Sequence, residues 1–302
     1  MAKYTFGTPP FTTTTFTSPV AGTNDTITAN VLADFTINGN GGNDTVTTGG
    51  GNDTVTTGSG SDVISVGNGN NTVSAGNGTN SVTSGSGNDT ITTGTGNDTI
   101  VGGDGNNTVS AGDGTNRVTT GSGDDTITTG SGADNVVSGA GDDIIRTGAG
   151  NDVINAGAGN DTVNAGAGND MIRSGAGLDA LTGGGGHDTF QYGSLANARL
   201  GADTISDFST ANPGSAGEGD TLDLRGLIDD FTGARNNASL AQLVASGHLD
   251  FSAGATTGST MISFDSNGSA AGGTIGVLVT MAGVGFSTES GAVTAFADNI
   301  LV

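Results

Sequence analysis

Between residues 44 and 188 the chain repeats itself every nine residues, seventeen times in succession and without one insertion. The register is set by Asp44, Asp53, Asp62, Asn71, Asn80, Asp89, Asp98, Asn107, Asn116, Asp125, Asp134, Asp143, Asp152, Asp161, Asp170, Asp179 and Asp188, thirteen aspartates and four asparagines. A glycine stands two residues before every one of them. Another stands four residues before in every case but the first, where Asn40 takes its place. An apolar residue follows two positions later each time, from Val46 and Val55 to Leu181 and Phe190. A period this short and this strict points to a solenoid.

The chemistry of each position supports that reading. Glycine permits the left-handed or crowded backbone of a tight turn. Threonine on either side of a single apolar residue alternates as a short strand does, with the apolar side chain inward. One unit cannot bury one side chain alone, but a stack of units can. Two units make an 18-residue coil with one strand on each of two parallel sheets. The turns then form two columns, one down each edge, with successive loops ~4.8 Å apart. Carboxylates at that spacing repel strongly. A hard cation between loops would turn the repulsion into cross-linking, and carboxylate oxygen suits Ca2+. The columns hold nine and eight loops, which allows at most fifteen sites between loops.

Composition narrows the field further. The 302 residues carry a net charge of −23, so phosphate backbones and anionic membrane surfaces are poor partners. Without cysteine there are no disulfides and no thiolate metal sites. The longest apolar stretch, residues 275–286, is well short of the ~20 residues that span a bilayer. Fifty-eight glycines and few aromatics supply a large globular core poorly, so something besides apolar burial must help the chain fold.

The repeat, exemplified by GGNDTVTTG at 41–49 and GSGNDTITTGTGNDTI at 85–100, resembles the repeats-in-toxin (RTX) nonapeptide G-G-x-G-x-D-x-U-x. The resemblance covers residues 39–191. It implies an all-β, right-handed parallel β-roll stapled by several Ca2+ ions, held by the aspartate side chains and loop carbonyls. Disorder without calcium is expected, because metal binding then supplies the folding free energy. The chain departs from the pattern in two ways. The family's first glycine is usually Thr, Ala or Ser here, as at Thr48, Ala75 and Ser84, and that position is expected to offer only its carbonyl. The four asparagines are the second departure. Residues 67–100 recur 36 residues later as 103–136, so two coils were duplicated as a block, and Asn71/Asn80 and Asn107/Asn116 fall in alternate coils. Two readings of them stay open: weaker calcium sites with an amide ligand, or a metal-free stretch in which the amides hydrogen-bond along the stack.

Around the roll (39–191) we expect an N-terminal apolar cap over residues 1–38, which contain Phe6, Phe11, Phe16 and Phe35. Ile37 falls nine residues before Val46, in the apolar register. Residues 192–302 are expected to form a β-rich cap, with strands at 203–208, 220–224, 248–251, 260–265 and 275–281. A short helix is expected around Ala238–Ser246, with Asn237 as its N-cap. The order D-T-I-x-D-F, then G-D-x-L-D-L, then the acidic-apolar ending Asp298–Val302 resembles the target region of type I secretion substrates. That implies an exporter as partner and an extracellular or cell-surface location, while any surface or matrix partner stays unidentified. No serine-hydrolase, zinc-protease or phosphate-loop motif occurs. The 38 residues before the repeats are too few for a catalytic domain, and His187 reads as an exposed loop residue. A non-enzymatic structural, matrix or adhesive protein is the expectation. The alternative is ice binding by the threonines of one face, Thr54/Thr56, Thr72/Ser74, Thr90/Thr92, Thr108/Ser110 and Thr126/Thr128. The opposite face is irregular, as at Val63/Ser65 and Arg117/Thr119.

Overall fold

The computed structural model describes residues 2–6, 13–193, 203–209, 219–226, 249–253, 260–265, 274–281 and 300–301. Its contacts divide the chain into two units, Met1–Ala149 and Gly150–Val302. Both are parallel β-solenoids, as the nine-residue period requires.

In the first unit the strands are β1 (Ala2–Thr5), β2 (Thr13–Thr17), β3 (Asp25–Leu32), β4 (Asp34–Asn38), β5 (Thr45–Gly50), β6 (Thr54–Thr56), β7 (Val63–Gly67) and β8 (Thr72–Gly76). They continue with β9 (Ser81–Ser84), β10 (Thr90–Thr93), β11 (Thr99–Gly103), β12 (Thr108–Gly112), β13 (Arg117–Thr120), β14 (Thr126–Thr129), β15 (Asn135–Ala140) and β16 (Ile144–Ala149). Odd-numbered strands build one sheet and even-numbered strands the other. Partners sit 18 residues apart, as in Thr45↔Val63 and Thr90↔Thr108, the coil length that two repeats predict. Several strands exceed three residues because the ladder runs on into the first turn glycine.

The parallel ladder also extends into the residues before the period. β1 pairs with β3 through Tyr4↔Ile27, and β2 pairs with β4 through Phe16↔Ile37. These coils need 19 to 23 residues instead of 18, so their strands are in register while their loops are not. Aromatic rings gather there: Tyr4 and Phe16 lie 4.5 Å apart between centroids, Phe6 and Phe16 5.4 Å, and Phe6 and Phe35 6.3 Å.

The second unit continues the design with β17 (Val153–Ala158), β18 (Thr162–Ala167), β19 (Met171–Ala176), β20 (Ala180–Gly185) and β21 (Thr189–Gln191). Beyond the period come β22 (Asp203–Ile205), β23 (Thr221–Asp223), β24 (Leu249–Ala253), β25 (Thr260–Asp265), β26 (Thr274–Met281) and β27 (Ile300–Leu301). The five expected C-terminal strands are therefore present. β22 and β23 extend the two sheets in parallel, whereas β26, β25 and β24 continue one of them as an antiparallel meander. The expected helix at 238–246 and His248 lie outside the described residues.

The core of both units is one file of apolar side chains per sheet. Val55, Val73, Ile91, Val109 and Ile127 line one sheet and Ile64, Val82, Ile100 and Val118 the other, all at most 1% exposed. The residue two positions further on also points inward, so Thr48, Thr57, Ser84 and Thr93 are buried. This overturns the expectation that this position offers only a carbonyl. The hydroxyls of Thr48, Thr57 and Thr93 donate to the carbonyls of Val66, Ala75 and Ala111, 18 residues ahead, at 2.9, 3.1 and 2.7 Å.

The exposed threonines of β6, β8, β10, β12 and β14 align in register as expected. The inner rank alternates with Ser74 and Ser110, and the array ends at Ile144 and Arg146 of β16. Threonine there is a soluble strand former on an open face, and the ice-binding reading is not favoured.

Candidate metal centre

The turn geometry starts from glycine. All seventeen glycines two residues before the register position have φ between +103° and +151°. At Gly78 (φ +134°) a Cβ would lie 1.7 Å from the carbonyl oxygen of Gly60 in the preceding coil. Only glycine lets the loops stack this closely.

With the loops so stacked, the register residues form hydrogen-bonded columns. Each backbone N–H donates to the Oδ1 of the register residue one coil later. In one column of the first unit the bonds run from Asp44 to Asp62 (2.7 Å), Asp62 to Asn80 (3.1 Å), Asn80 to Asp98 (2.7 Å) and Asp98 to Asn116 (3.0 Å). In the other they run from Asp53 to Asn71 (2.9 Å), Asn71 to Asp89 (2.7 Å), Asp89 to Asn107 (2.9 Å) and Asn107 to Asp125 (2.7 Å). The second unit repeats the motif from Asp152 to Asp170 (2.8 Å), Asp170 to Asp188 (2.9 Å) and Asp161 to Asp179 (2.8 Å). Every one of the seventeen sequence-selected residues is buried in such a column, at most 2% exposed.

The second carboxylate oxygen is different. At Asp44, Asp53, Asp62, Asp89, Asp98, Asp125, Asp170 and Asp188 the buried Oδ2 accepts no hydrogen bond. A buried acceptor without a donor costs about 1–3 kcal/mol, and more when it is charged. The carboxyl pKa values respond accordingly. Burial pushes Asp44 and Asp170 up to about 6 and Asp188 up to about 7. Like charges in the same column, such as Asp62 and Asp25 beside Asp44, add to the rise. Asp89 and Asp98 are also raised by burial, opposed most by Asn71 N–H at Asp89 and by the neighbouring Thr93 hydroxyl at Asp98.

The asparagines make the hydrogen bonds along the stack that one of the two readings expects. Nδ2 of Asn71 donates to the carbonyls of Gly67 and Gly69 at 3.3 and 3.0 Å, and Nδ2 of Asn80 to those of Gly76 and Gly78 at 3.0 and 3.3 Å. Asn107 and Asn116 do the same with Gly103/Gly105 and Gly112/Gly114 at 2.9–3.1 Å. The amide thus bonds both along the stack through Oδ1 and within its own loop through Nδ2. Four loops with this sequence change share one backbone change. Gly67, Gly76, Gly103 and Gly112, four residues before each Asn, have φ of +68° to +74°. The Nδ2 position marks a cradle of two glycine carbonyls where a donor, or a cation, belongs.

The columns reach past the period to residues that sequence reasoning did not select. Asp25 N–H donates to Asp44 Oδ1 at 2.9 Å, Asp179 N–H to Asp203 Oδ1 at 3.0 Å and Asp188 N–H to Asp220 Oδ1 at 3.0 Å. Their distal oxygens have protein donors. Ser18 Oγ serves Asp25, Tyr192 OH (2.8 Å) and Ser174 Oγ (2.9 Å) serve Asp203, and Ser209 N–H (2.8 Å) serves Asp220. Burial, then Asp179, raises Asp203 to about 6. The signal for all three was in the sequence, as the triplets D-T-I at 25–27 and 203–205 and D-T-L at 220–222, which copy the D-T-U of the repeat.

Outside the columns a second ladder runs along the residues just before the register position. In the first unit Asp34, Asn52, Asn70, Asn88, Asn106 and Asp124 each accept, through Oδ1, the backbone N–H of the residue 18 positions on, at 2.7–3.1 Å. In the second unit His187 occupies this position. It is exposed, as the sequence suggests, and its Nδ1 lies 3.1 Å from Gly219 N–H.

Among the described residues no three His, Asp or Glu side chains converge on one point, and no helix is long and apolar enough to cross a membrane. A cation in these turns therefore relies on loop carbonyls as much as on carboxylates, which suits Ca2+. Comparison with curated proteins returns no match. The family model of the RTX calcium-binding nonapeptide repeat, four copies long, matches residues 36–64, 56–91, 92–127, 110–145, 128–163, 137–172 and 156–190. Together these matches cover residues 36–190, just over half of the chain. With the buried, donor-poor aspartates in the same turns, the match shows that the chain belongs to the RTX family of calcium-binding β-roll proteins.

Proposed function

We propose that this is a secreted, non-enzymatic protein that folds on binding Ca2+ and serves a structural, matrix or adhesive role at the cell surface. The observation that carries the calcium reading to individual residues is the unpartnered, buried Oδ2 of Asp44, Asp53, Asp62, Asp89, Asp98, Asp125, Asp170 and Asp188. These carboxylates, with the backbone carbonyls two and four residues before them (glycine in every case but Asn40), are the oxygens that would hold the cation. Bound Ca2+ would supply the positive charge that successive loops lack. Circular dichroism during a CaCl2 titration tests the reading. The strand signal should rise with calcium, and a signal already complete in EDTA would overturn it.

Export and location rest on the resemblance of residues 192–302 to the target region of type I secretion substrates. An extracellular, calcium-rich medium suits modules whose folding awaits the metal. Co-expression with a type I exporter should release the whole chain to the medium and retain a chain ending at residue 191. Equal release of both would remove this part of the proposal.

A further inference from the structure

Along the two units the repeat aspartates have different neighbours. From residue 53 to 125 carboxylate and amide alternate in both columns, as Asp62–Asn80–Asp98–Asn116 and Asp53–Asn71–Asp89–Asn107–Asp125. Charges in one column therefore sit two strand spacings apart, roughly 10 Å, about one Debye length at ~0.1 M salt. Each intervening Asn loop is complete without a cation, because its own amide hydrogens fill the glycine-carbonyl cradle. In the same span each aspartate has a buried hydroxyl five residues before it, at Thr48, Thr57, Ser84, Thr93 and Thr120.

The second unit lacks the alternation and keeps few of these hydroxyls, buried Thr147 before Asp152 among them. Asp152–Asp170–Asp188–Asp220 and Asp161–Asp179–Asp203 place a carboxylate at every step, one strand spacing apart. The residues five before Asp161, Asp170 and Asp188 are Ala156, Ala165 and Gly183, and Ser174, before Asp179, directs its hydroxyl to Asp203. Asp170 Oδ2 and Asp188 Oδ2 have no protein donor, as is also true of Asp53, Asp62, Asp89, Asp98 and Asp125, so the spacing of the charges is what separates the two spans.

We infer that the roll has two segments with different calcium demands: residues 53–125 keep their fold when calcium is removed, and residues 152–188 fold only when cations occupy the Asp loops. The inference rests on the calcium-binding reading and adds where along the chain the metal is required. Calcium is then required by the later segment and not by the earlier one.

Hydrogen–deuterium exchange of the full chain, read by mass spectrometry in EDTA and during stepwise CaCl2 addition, tests it. In EDTA the amides of β8, β10 and β12 should exchange at least about tenfold more slowly than those of β17, β19 and β20. Calcium should then bring the second group to the level of the first. If both groups exchange freely in EDTA and become protected at one calcium concentration, the inference is overturned and the calcium reading stands. If β17, β19 and β20 are protected in EDTA and calcium changes nothing, both fall. The quadruple variant N71D/N80D/N107D/N116D supplies the cause. It should lose EDTA protection in β8, β10 and β12 and regain it with calcium, and unchanged protection in EDTA would overturn the argument from alternation.

Discussion

Replacing Asp89 by asparagine is predicted to change stability with opposite sign in the absence and presence of calcium. Without metal, Asp89 Oδ2 is a buried acceptor with no donor, while Asn71 N–H already bonds Oδ1 at 2.7 Å. The introduced amide would keep the Oδ1 bond and place its Nδ2 between the carbonyls of Gly85 and Gly87, as Asn71 does with Gly67 and Gly69. Gly85 must rotate toward the φ of +68° seen at Gly67, which glycine allows without steric cost. Two new hydrogen bonds contribute ~2 kcal/mol, and relief of one unsatisfied buried acceptor contributes about 1–2 more. The sum of ~3 kcal/mol corresponds to a Tm increase of roughly 6–12 °C in EDTA for a structure of this size. In calcium the variant loses a charged ligand. If that weakens one site a thousandfold, ~4.1 kcal/mol of ligand-linked stability disappears, more than the ~3 kcal/mol gained, and Tm falls. Thermal denaturation followed by circular dichroism, in EDTA and in saturating CaCl2, measures both. A lower Tm in EDTA would refute the donor-vacancy argument, and a higher Tm in both media would refute the assignment of Asp89 as a calcium ligand.

Three further outcomes are expected. Asp44 and Asp170 are raised to about 6 and Asp188 to about 7, so protonation favours the metal-free fold: its contribution is complete below about pH 4 and is lost as pH rises through 6 to 7. In EDTA the strand signal should therefore grow on acidification, whereas the calcium midpoint should rise because protons compete for the same oxygens; a signal that falls with acid in EDTA contradicts this. Gly78→Ala should cost roughly 3 kcal/mol or more, because φ is +134° and the added Cβ meets the Gly60 carbonyl at 1.7 Å; a denaturation midpoint equal to that of the parent chain would show that the loops can spread. Tyr192→Phe removes the donor to Asp203 Oδ2 and should destabilise the calcium-loaded second unit by about 1.5–3 kcal/mol, with the number of bound calcium ions, measured by equilibrium dialysis, unchanged.

The coil length, the two-sheet division and the buried file were legible in the sequence because nine residues fix turn, strand and apolar side chain together. Val73 and Ile91 fall where the period puts them. Asp25, Asp203 and Asp220 were not found, although they end the same columns, because they follow or precede their neighbours by 19, 24 and 32 residues. A loop that lengthens breaks the period but not the hydrogen bond. The role of Asn71 was also undecidable from its identity, since an amide presents an oxygen or two hydrogens, and only the direction of Nδ2 tells which faces the cradle. Thr48 was misjudged for a related reason. Treated as a stand-in for glycine in a turn, it proves to be the last inward residue of its strand, with its hydroxyl bound to the next coil.

The outer ladder of Asp34, Asn52, Asn70, Asn88, Asn106 and Asp124 has a counterpart in cross-β fibrils, where identical amide side chains stack in register along the fibril axis. Here the stack is written into one polypeptide, so its length is set by the gene and not by the concentration of free chains. Its Oδ1 acceptors point along the ladder and are taken up by the next coil. Growth by strand addition is therefore confined to the terminal strands, and the two broad faces take no part in it.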